Sequence, residues 1–166
     1  MIYKKLGMAL ALSLALAACD DGDGLFGRGG NNSNAPMGAE VFDENSIGYF
    51  NQTIGDTVHF AVDQSNLTPE AISILDQQAA WLLSRPQYSV LVEGHADEQN
   101  TREYNLALGA RRAAAVQNYL VSRGLADSRV KTVSYGKERP IATCSNETCY
   151  SQNRRAVTVV ANGFGS

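Results

Sequence analysis

No stretch of this sequence is long and apolar enough to cross a bilayer. Its most apolar run, residues 6–18, counts 13 residues, against the ~20 that a spanning helix needs. A basic excess is missing too: the formal net charge is −3, which argues against nucleic acid as the main partner. Cysteine is scarce, at three, and no zinc-ligand spacing surrounds any of them. No Ser-containing nucleophile elbow occurs. With 166 residues, 44% hydrophobic and 19% charged, the chain has room for one ordinary globular domain plus extensions.

The amino terminus explains the short apolar run. Lys4 and Lys5 precede it, and it ends in Leu16-Ala17-Ala18-Cys19. A positive start, a short apolar core and small residues before a cut make a signal peptide over residues 1–18. Leu three positions before Cys resembles the lipobox of bacterial lipoproteins, in which the Cys thiol is diacylated and becomes the new terminus. Each buried CH₂ of such an anchor contributes ~0.8 kcal/mol. Cleavage leaves 12 basic and 17 acidic side chains, a net of −5, so attachment to a membrane rests on the lipid on Cys19. No other cofactor is expected. In an exported chain, Cys144 and Cys149, five apart in Cys-Ser-Asn-Glu-Thr-Cys, read as a disulfide that shapes a surface turn.

Residues 19–46 read as a lipidated flexible tether. Residues 20–46 are rich in Gly, Asn and Asp and cannot bury enough apolar surface to offset the entropy of ordering. Fully extended they reach at most ~90 Å. Residues 47–166 read as the folded domain. Val58, Phe60 and Val62 alternate as in a half-buried strand. Thr68-Pro69-Glu70 opens a helix with the stripe Ile72, Leu75, Ala79 and Leu82, stopped by Pro86. Residues 88–93 form a second strand, ending at Gly94. A polar loop leads into a helix over residues 101–123, closed by Gly124, with Leu106, Ala110, Ala113, Gln117 and Leu120 inward and Val116 at the edge. Residues 130–135 and 155–161 are two more strands. The order β-α-β-α-β-β predicts a two-layer α/β sandwich with both helices on one sheet face.

The chemistry concentrates where the second strand enters the long helix. At ~100° per residue, Asn105, Leu108 and Arg112 form a ridge beside the expected apolar stripe. Asp97 lies in the loop just before. If that loop folds back, an acid and a guanidinium border one groove, and the helix terminus adds N–H groups. Such a groove suits a zwitterion, with an ammonium near Asp97 and a carboxylate held bidentately by Arg112. An isolated surface pair of this kind is only a solvated feature. Asp63 ends the first strand and is either a turn residue or a third wall of the groove. Glu93, His95 and Asp97, joined by His59, also have the residue types of a metal or acid/base site. Their spacing matches no known zinc signature, so no catalytic residue and no metal set is assigned. His95 reads as an imidazole bridging strand end and loop.

The run Val92-Glu93-Gly94-His95-Ala96-Asp97-Glu98, followed by Glu103-Tyr104-Asn105, Leu108-Gly109, Arg111-Arg112-Ala113 and Ala115-Val116, resembles the OmpA-like peptidoglycan-binding domain. Residues 133–140 (Val-Ser-Tyr-Gly-Lys-Glu-Arg-Pro) and Asn153-Arg154-Arg155-Ala156-Val157 are similar to its later signatures. The resemblance spans residues 57–161 and, with lipobox and tether, implies a lipid-anchored member of the family. It implies non-covalent binding of peptidoglycan through the diaminopimelate of the stem peptide, with the family's paired acid and arginine at Asp97 and Arg112 and its strand-end acid at Asp63. Phe60, His95, Asn105 and Leu108 complete the implied peptidoglycan-binding set. It further implies an outer-membrane location with the domain in the periplasm, and contact with the periplasmic propeller protein of the Tol system. A purely protein-binding role for Tol components is the alternative. Asp20 after Cys19 matches an inner-membrane retention signal of some enteric bacteria. The sequence departs from the family pattern at Ala61, Gln99 and Asn100, where Asp, Arg and Gly are common.

Replacing Cys19 by Ser is expected to release the chain from membranes while leaving its binding to isolated sacculi intact. Fractionation checks this, and a mutant still sedimenting with membranes would show that something other than the acyl chains holds it.

Overall fold

The computed structural model describes residues 42–163. The positions read as signal peptide, Cys19, and the tether through residue 41 lie outside the described residues. The described elements are α1 (Ile47–Tyr49), a π-helical turn (Phe50–Gly55), β1 (Thr57–His59), α2 (Pro69–Leu83), β2 (Tyr88–His95), α3 (Arg102–Ser122), a 3₁₀ turn (Asp127–Arg129), β3 (Val130–Gly136), α4 (Glu147–Asn153) and β4 (Arg155–Asn162).

The sheet runs β1-β4-β2-β3. The β2–β3 pair is parallel, with α3 as its crossover, and β4 is antiparallel to both β1 and β2. The buried residues Leu75, Ala79 and Leu82 of α2 and Ala113, Val116 and Leu120 of α3 share one core with Val58, Val90, Val92, Val130, Ala156 and Val160. This is the expected two-layer sandwich. The caps hold as well: Thr68 Oγ1 accepts from Ala71 N at 3.2 Å and Thr101 Oγ1 from Tyr104 N at 3.2 Å.

Several expectations change. Val62 lies past the end of β1 and is 50% exposed. Gly94 does not end β2, which pairs with β3 through His95. In α3, Leu106 and Ala110 face out and Gln117 is only half-buried, while Asn105, Leu108, Gly109 and Arg112 lie in the buried stripe with Ala113, Val116 and Leu120. The buried face is thus turned toward polar residues that find protein partners. Helical turns precede β1, and α4 interrupts the expected loop before β4; α4 carries no apolar period that marks it in advance, whereas Ile47, Phe50 and Ile54 stand at i, i+3 and i+7 and pack on the core. Residues 43–46, expected in the tether, are tied down. Trp81 Nε1 donates to Glu44 O at 2.8 Å, Arg85 donates to Glu44 O and Asn45 Oδ1, and Tyr88 OH donates to Asn45 O. A buried indole N–H needs an acceptor, and the chain entering the domain supplies it.

The meeting of α3 and β2 rests on two glycines. A Cβ on Gly94 would lie 1.9 Å from Gly109 O, and one on Gly109 would lie 2.8 Å from Gly94 O. The two backbones touch with nothing between them, and this brings the end of β2 against the first half of α3.

Helices α2 and α3 pack on one face of the sheet, and His95 lies on the other. There His95 is 1% exposed, packed 5.5 Å from the Tyr135 ring, with Glu93 Oε2 3.7 Å from its Nε2. Neither ring nitrogen has a hydrogen-bond partner, so the expected bridge from strand to loop is not made. Desolvation first, then Arg155 and Arg139, push its pKa down to about 4.

Gly109→Ala is expected to destabilise the fold by about 2–3 kcal/mol or more through overpacking, read as a lower urea midpoint at unchanged m-value. A parent-like midpoint would show that the two backbones are free to part. Since His95 takes up its proton more readily unfolded than folded, stability should rise with pH from about 4 to about 6.5 and be flat above. The His95 contribution lost at the acid end is up to about 3 kcal/mol. An NMR titration giving His95 an ordinary pKa near 6.5 would contradict this.

Candidate functional site

The site forms where four segments meet: the residues after β1, the end of β2, the first half of α3 and the C-terminal end of α4. Asp97, two residues past β2, is 6% exposed. Its Oδ1 accepts from Gln99 N at 3.2 Å, a turn closed within the loop, and its Oδ2 accepts from Gln99 Nε2 at 3.4 Å. Asn105 is fully buried and fixes the same loop from the helix, its Nδ2 donating to Asp97 O at 2.9 Å and Asn100 O at 3.3 Å. Lys137 reaches across from the end of β3, its Nζ donating to Asn100 O at 2.6 Å. The loop before α3 is thus closed on itself and held from two sides, by α3 and by the end of β3.

The arginine bonded to Asp97 is Arg154, not Arg112. Arg154 Nη1 lies 3.2 Å from Asp97 Oδ2, with side chains 5% and 8% exposed. Arg154 also donates from Nε to Phe60 O and from Nη1 and Nη2 to the Glu147 carboxylate. Burial works to lower the Arg154 pKa, but Glu147 and then Asp97 raise it on balance. In return, the Arg154 hydrogen bond holds the Glu147 carboxyl below its ordinary range.

Arg112 is wholly buried. Its guanidinium donates to three backbone carbonyls: Nε to Gln64 O at 2.9 Å, Nη1 to His95 O at 2.8 Å and Nη2 to Ala61 O at 3.1 Å. It also lies 5.2 Å over the Phe60 ring. Desolvation, partly offset by the charge of Asp97, brings its pKa down to about 10, so it stays a cation at neutral pH. Three of its five N–H groups are used.

Asp63, exposed, sits at φ 54° and its Oδ1 accepts from Asn100 Nδ2 at 3.1 Å. That left-handed conformation is one Asp tolerates better than most residues. Asn100 thus links the first-strand loop to the loop of Asp97. Leu108 and Phe60 are buried at 3% and 4% exposure and form the apolar floor. The structure therefore brings Phe60, Asp63, Asp97, Asn105, Leu108 and Arg112 to one corner. His95 contributes its backbone carbonyl there, while its ring packs on the opposite sheet face with Tyr135. Glu93 is on that face too, so Glu93, His95 and Asp97 do not converge.

Arg154, Glu147 and Asn153 are the residues the sequence reading leaves out. Asn153 is fully buried; its Oδ1 accepts from Ile141 N and Ala142 N, and its Nδ2 donates to Ala142 O. The signal available for Asn153 and Arg154 was the run Asn153-Arg154-Arg155, already part of the family resemblance; Arg154 caps α4 immediately before β4 opens at Arg155, and both arginines are buried. Cys144 and Cys149 are bridged as expected, and Cys149 lies in the first turn of α4.

The OmpA family model matches residues 59–154. A peptidoglycan-associated lipoprotein of Rhizobium meliloti is 47% identical over 159 residues, covering 96% of this chain and 88% of the relative. One from Pseudomonas aeruginosa is 42% identical over 89% of this chain and 90% of the relative. The crystal structure of the peptidoglycan-associated lipoprotein from Burkholderia pseudomallei superposes with a TM-score of 0.66 at 36% identity, over 72% of this chain and all of that one. The C-terminal domain of Helicobacter pylori MotB shares the fold, with a TM-score of 0.60 at 19% identity over 64% of this chain and 84% of that one. With the family model matched over more than half of the chain and relatives 42–47% identical along most of it, this chain belongs to the OmpA family.

Proposed function

We propose that the chain is a non-catalytic lipoprotein that holds the outer membrane to the cell wall by binding peptidoglycan, with the diaminopimelate of the stem peptide as the recognised group. One observation carries this reading: a buried carboxylate, Asp97, stands between two buried guanidiniums, Arg112 and Arg154. Such a corner pairs with a ligand that brings both signs. The free end of diaminopimelate does so, with an ammonium for Asp97 and a carboxylate for Arg112. The relatives are peptidoglycan-associated lipoproteins by name, which supports the wall as the target.

In the described state the carbonyls of Ala61 and Gln64 occupy Arg112. They belong to an exposed segment, residues 61–64. A ligand carboxylate takes the remaining N–H groups of Arg112, or displaces these carbonyls and trades neutral acceptors for a charged one. The bridging role also fits the layout. The chain enters at Glu44 and Asn45 beside Tyr88, the first residue of β2, and Asp97 lies just past its last residue. Eight residues of strand at ~3.3 Å each put entry and site ~25 Å apart. The lipid on Cys19, residence in the outer membrane and a role in envelope integrity and division are part of the proposal. Contact with the Tol propeller protein is supported by the family resemblance alone.

Asp97→Ala is expected to weaken binding to isolated sacculi or to a diaminopimelate-containing stem peptide by about 30-fold or more. A ligand ammonium left without its partner in a desolvated site costs ~2–5 kcal/mol. Arg112→Lys should also weaken it, because an ammonium gives no planar two-bond contact. Arg111→Ala, an exposed neighbour, should bind as the parent does. Calorimetry on variants shown by circular dichroism to be folded checks this. Parent-like binding by both Asp97→Ala and Arg112→Lys would move the site elsewhere.

A further inference from the structure

Helix α4 has seven residues, too few to be stable by itself, yet both its ends carry the ion network of the site. Glu147 is its first residue and Arg154 its C-cap. Seven positions make about two turns, so the two side chains lie on one face. Three devices hold this short helix. Asn146 caps it, its side chain accepting from Thr148 N and Cys149 N. Asn153 ties its far end to Ile141 and Ala142. The Cys144–Cys149 disulfide closes the loop onto its first turn, where Cys144 N also donates to Cys149 Sγ at 3.2 Å.

The charges then divide unequally. Arg154 meets two carboxylates, Asp97 and Glu147, and gives Glu147 two of its nitrogens but Asp97 only one. Glu147 is 65% exposed, so its charge is cheap to maintain, whereas Asp97 is nearly buried. An Arg154 fork engaged by Glu147 cannot also close on Asp97. Without Glu147, the same fork is free to pair bidentately with Asp97 and neutralise it. We propose that Glu147, pinned by the Cys144–Cys149 disulfide, is a positioning residue that draws Arg154 aside and keeps the buried Asp97 carboxylate open to a ligand's ammonium. This rests on the reading of the site given above. It makes the disulfide a part of ligand selection as well as of the surface turn. The depressed pKa of Glu147, caused by the Arg154 hydrogen bond, is consistent with that division.

The test uses the full chain in detergent and two stem peptides, one with the free diaminopimelate amine and one with that amine acetylated. Glu147→Gln is expected to weaken the free-amine peptide by about tenfold and to change the already weak acetylated peptide by less than about twofold. Glu147→Asp should recover part of the loss. The Cys144→Ser/Cys149→Ser variant should shift affinity in the same direction and add little when combined with Glu147→Gln. Equal weakening of both peptides would reveal a merely structural Glu147 and overturn the inference, as would parent-like affinity. A readout without ligand is the carboxyl titration of Glu147 by NMR before and after treatment with dithiothreitol. The reagent closes to its own disulfide while the Cys144–Cys149 bond takes up two electrons and two protons to give two thiols. The Glu147 pKa should move up toward the ordinary glutamate value on reduction, and an unchanged titration overturns the bracing. If the parent binds neither peptide, the functional reading falls, and this titration still decides the role of the disulfide.

Discussion

A guanidinium with no exposed surface must find its partners inside the protein, because an unpaired buried cation costs several kcal/mol. Arg112 meets that demand with carbonyls from two separate places, the segment after β1 and the last residue of β2. One side chain from the middle of α3 therefore fixes the relative positions of three segments. Asp97 is placed by this arrangement, two residues beyond the carbonyl of His95, and Asn105 on the same helix face fastens its loop. Arg154, from the far end of the chain, then closes the corner through both Asp97 and Phe60 O. The approach of α3 to β2 that makes this possible is allowed by Gly94 and Gly109, where any side chain would separate the layers.

The electrostatics follow from that packing. Two cations and one carboxylate are buried together, and the carboxylates beside them that reach solvent are Glu147, paired with Arg154, and Asp63, which accepts from Asn100. Protein-internal pairing gives Arg112 only neutral acceptors, for three of its five N–H groups, and does not saturate Asp97, whose carboxylate has room for about four hydrogen bonds and accepts three long ones. On the proposed reading, such a corner favours a partner with both charges over one with either alone.

Elements carrying their own punctuation were legible in the sequence. Thr68 with Pro69, and Thr101 with Gly124, mark the helix ends through local capping chemistry, and the strands show in alternating valines. The orientation of α3 was legible in part. Helical phase correctly groups Asn105, Leu108 and Arg112, but an apolar count turns Leu106 and Ala110 inward, because it has no knowledge of the carbonyls that make Asn105 and Arg112 welcome in the interior. Arg154 and Glu147 were hidden for a different reason: their pairing depends on α4, a helix too short for a periodic signal and stabilised by a cross-link and a cap. Long-range partners of this sort, 57 residues apart for Arg154 and Asp97, become visible only once the sheet order is known.

The central claim is that this corner recognises a zwitterion. It is tested most directly by comparing, in one calorimetric experiment on the full chain, a stem peptide containing diaminopimelate with the same peptide containing lysine, which keeps the side-chain amine and lacks the carboxylate beside it. The account predicts binding of the diaminopimelate peptide and a loss of about 30-fold or more with lysine, since a buried guanidinium would then be left without its charged partner. Equal affinity for the two peptides would contradict it.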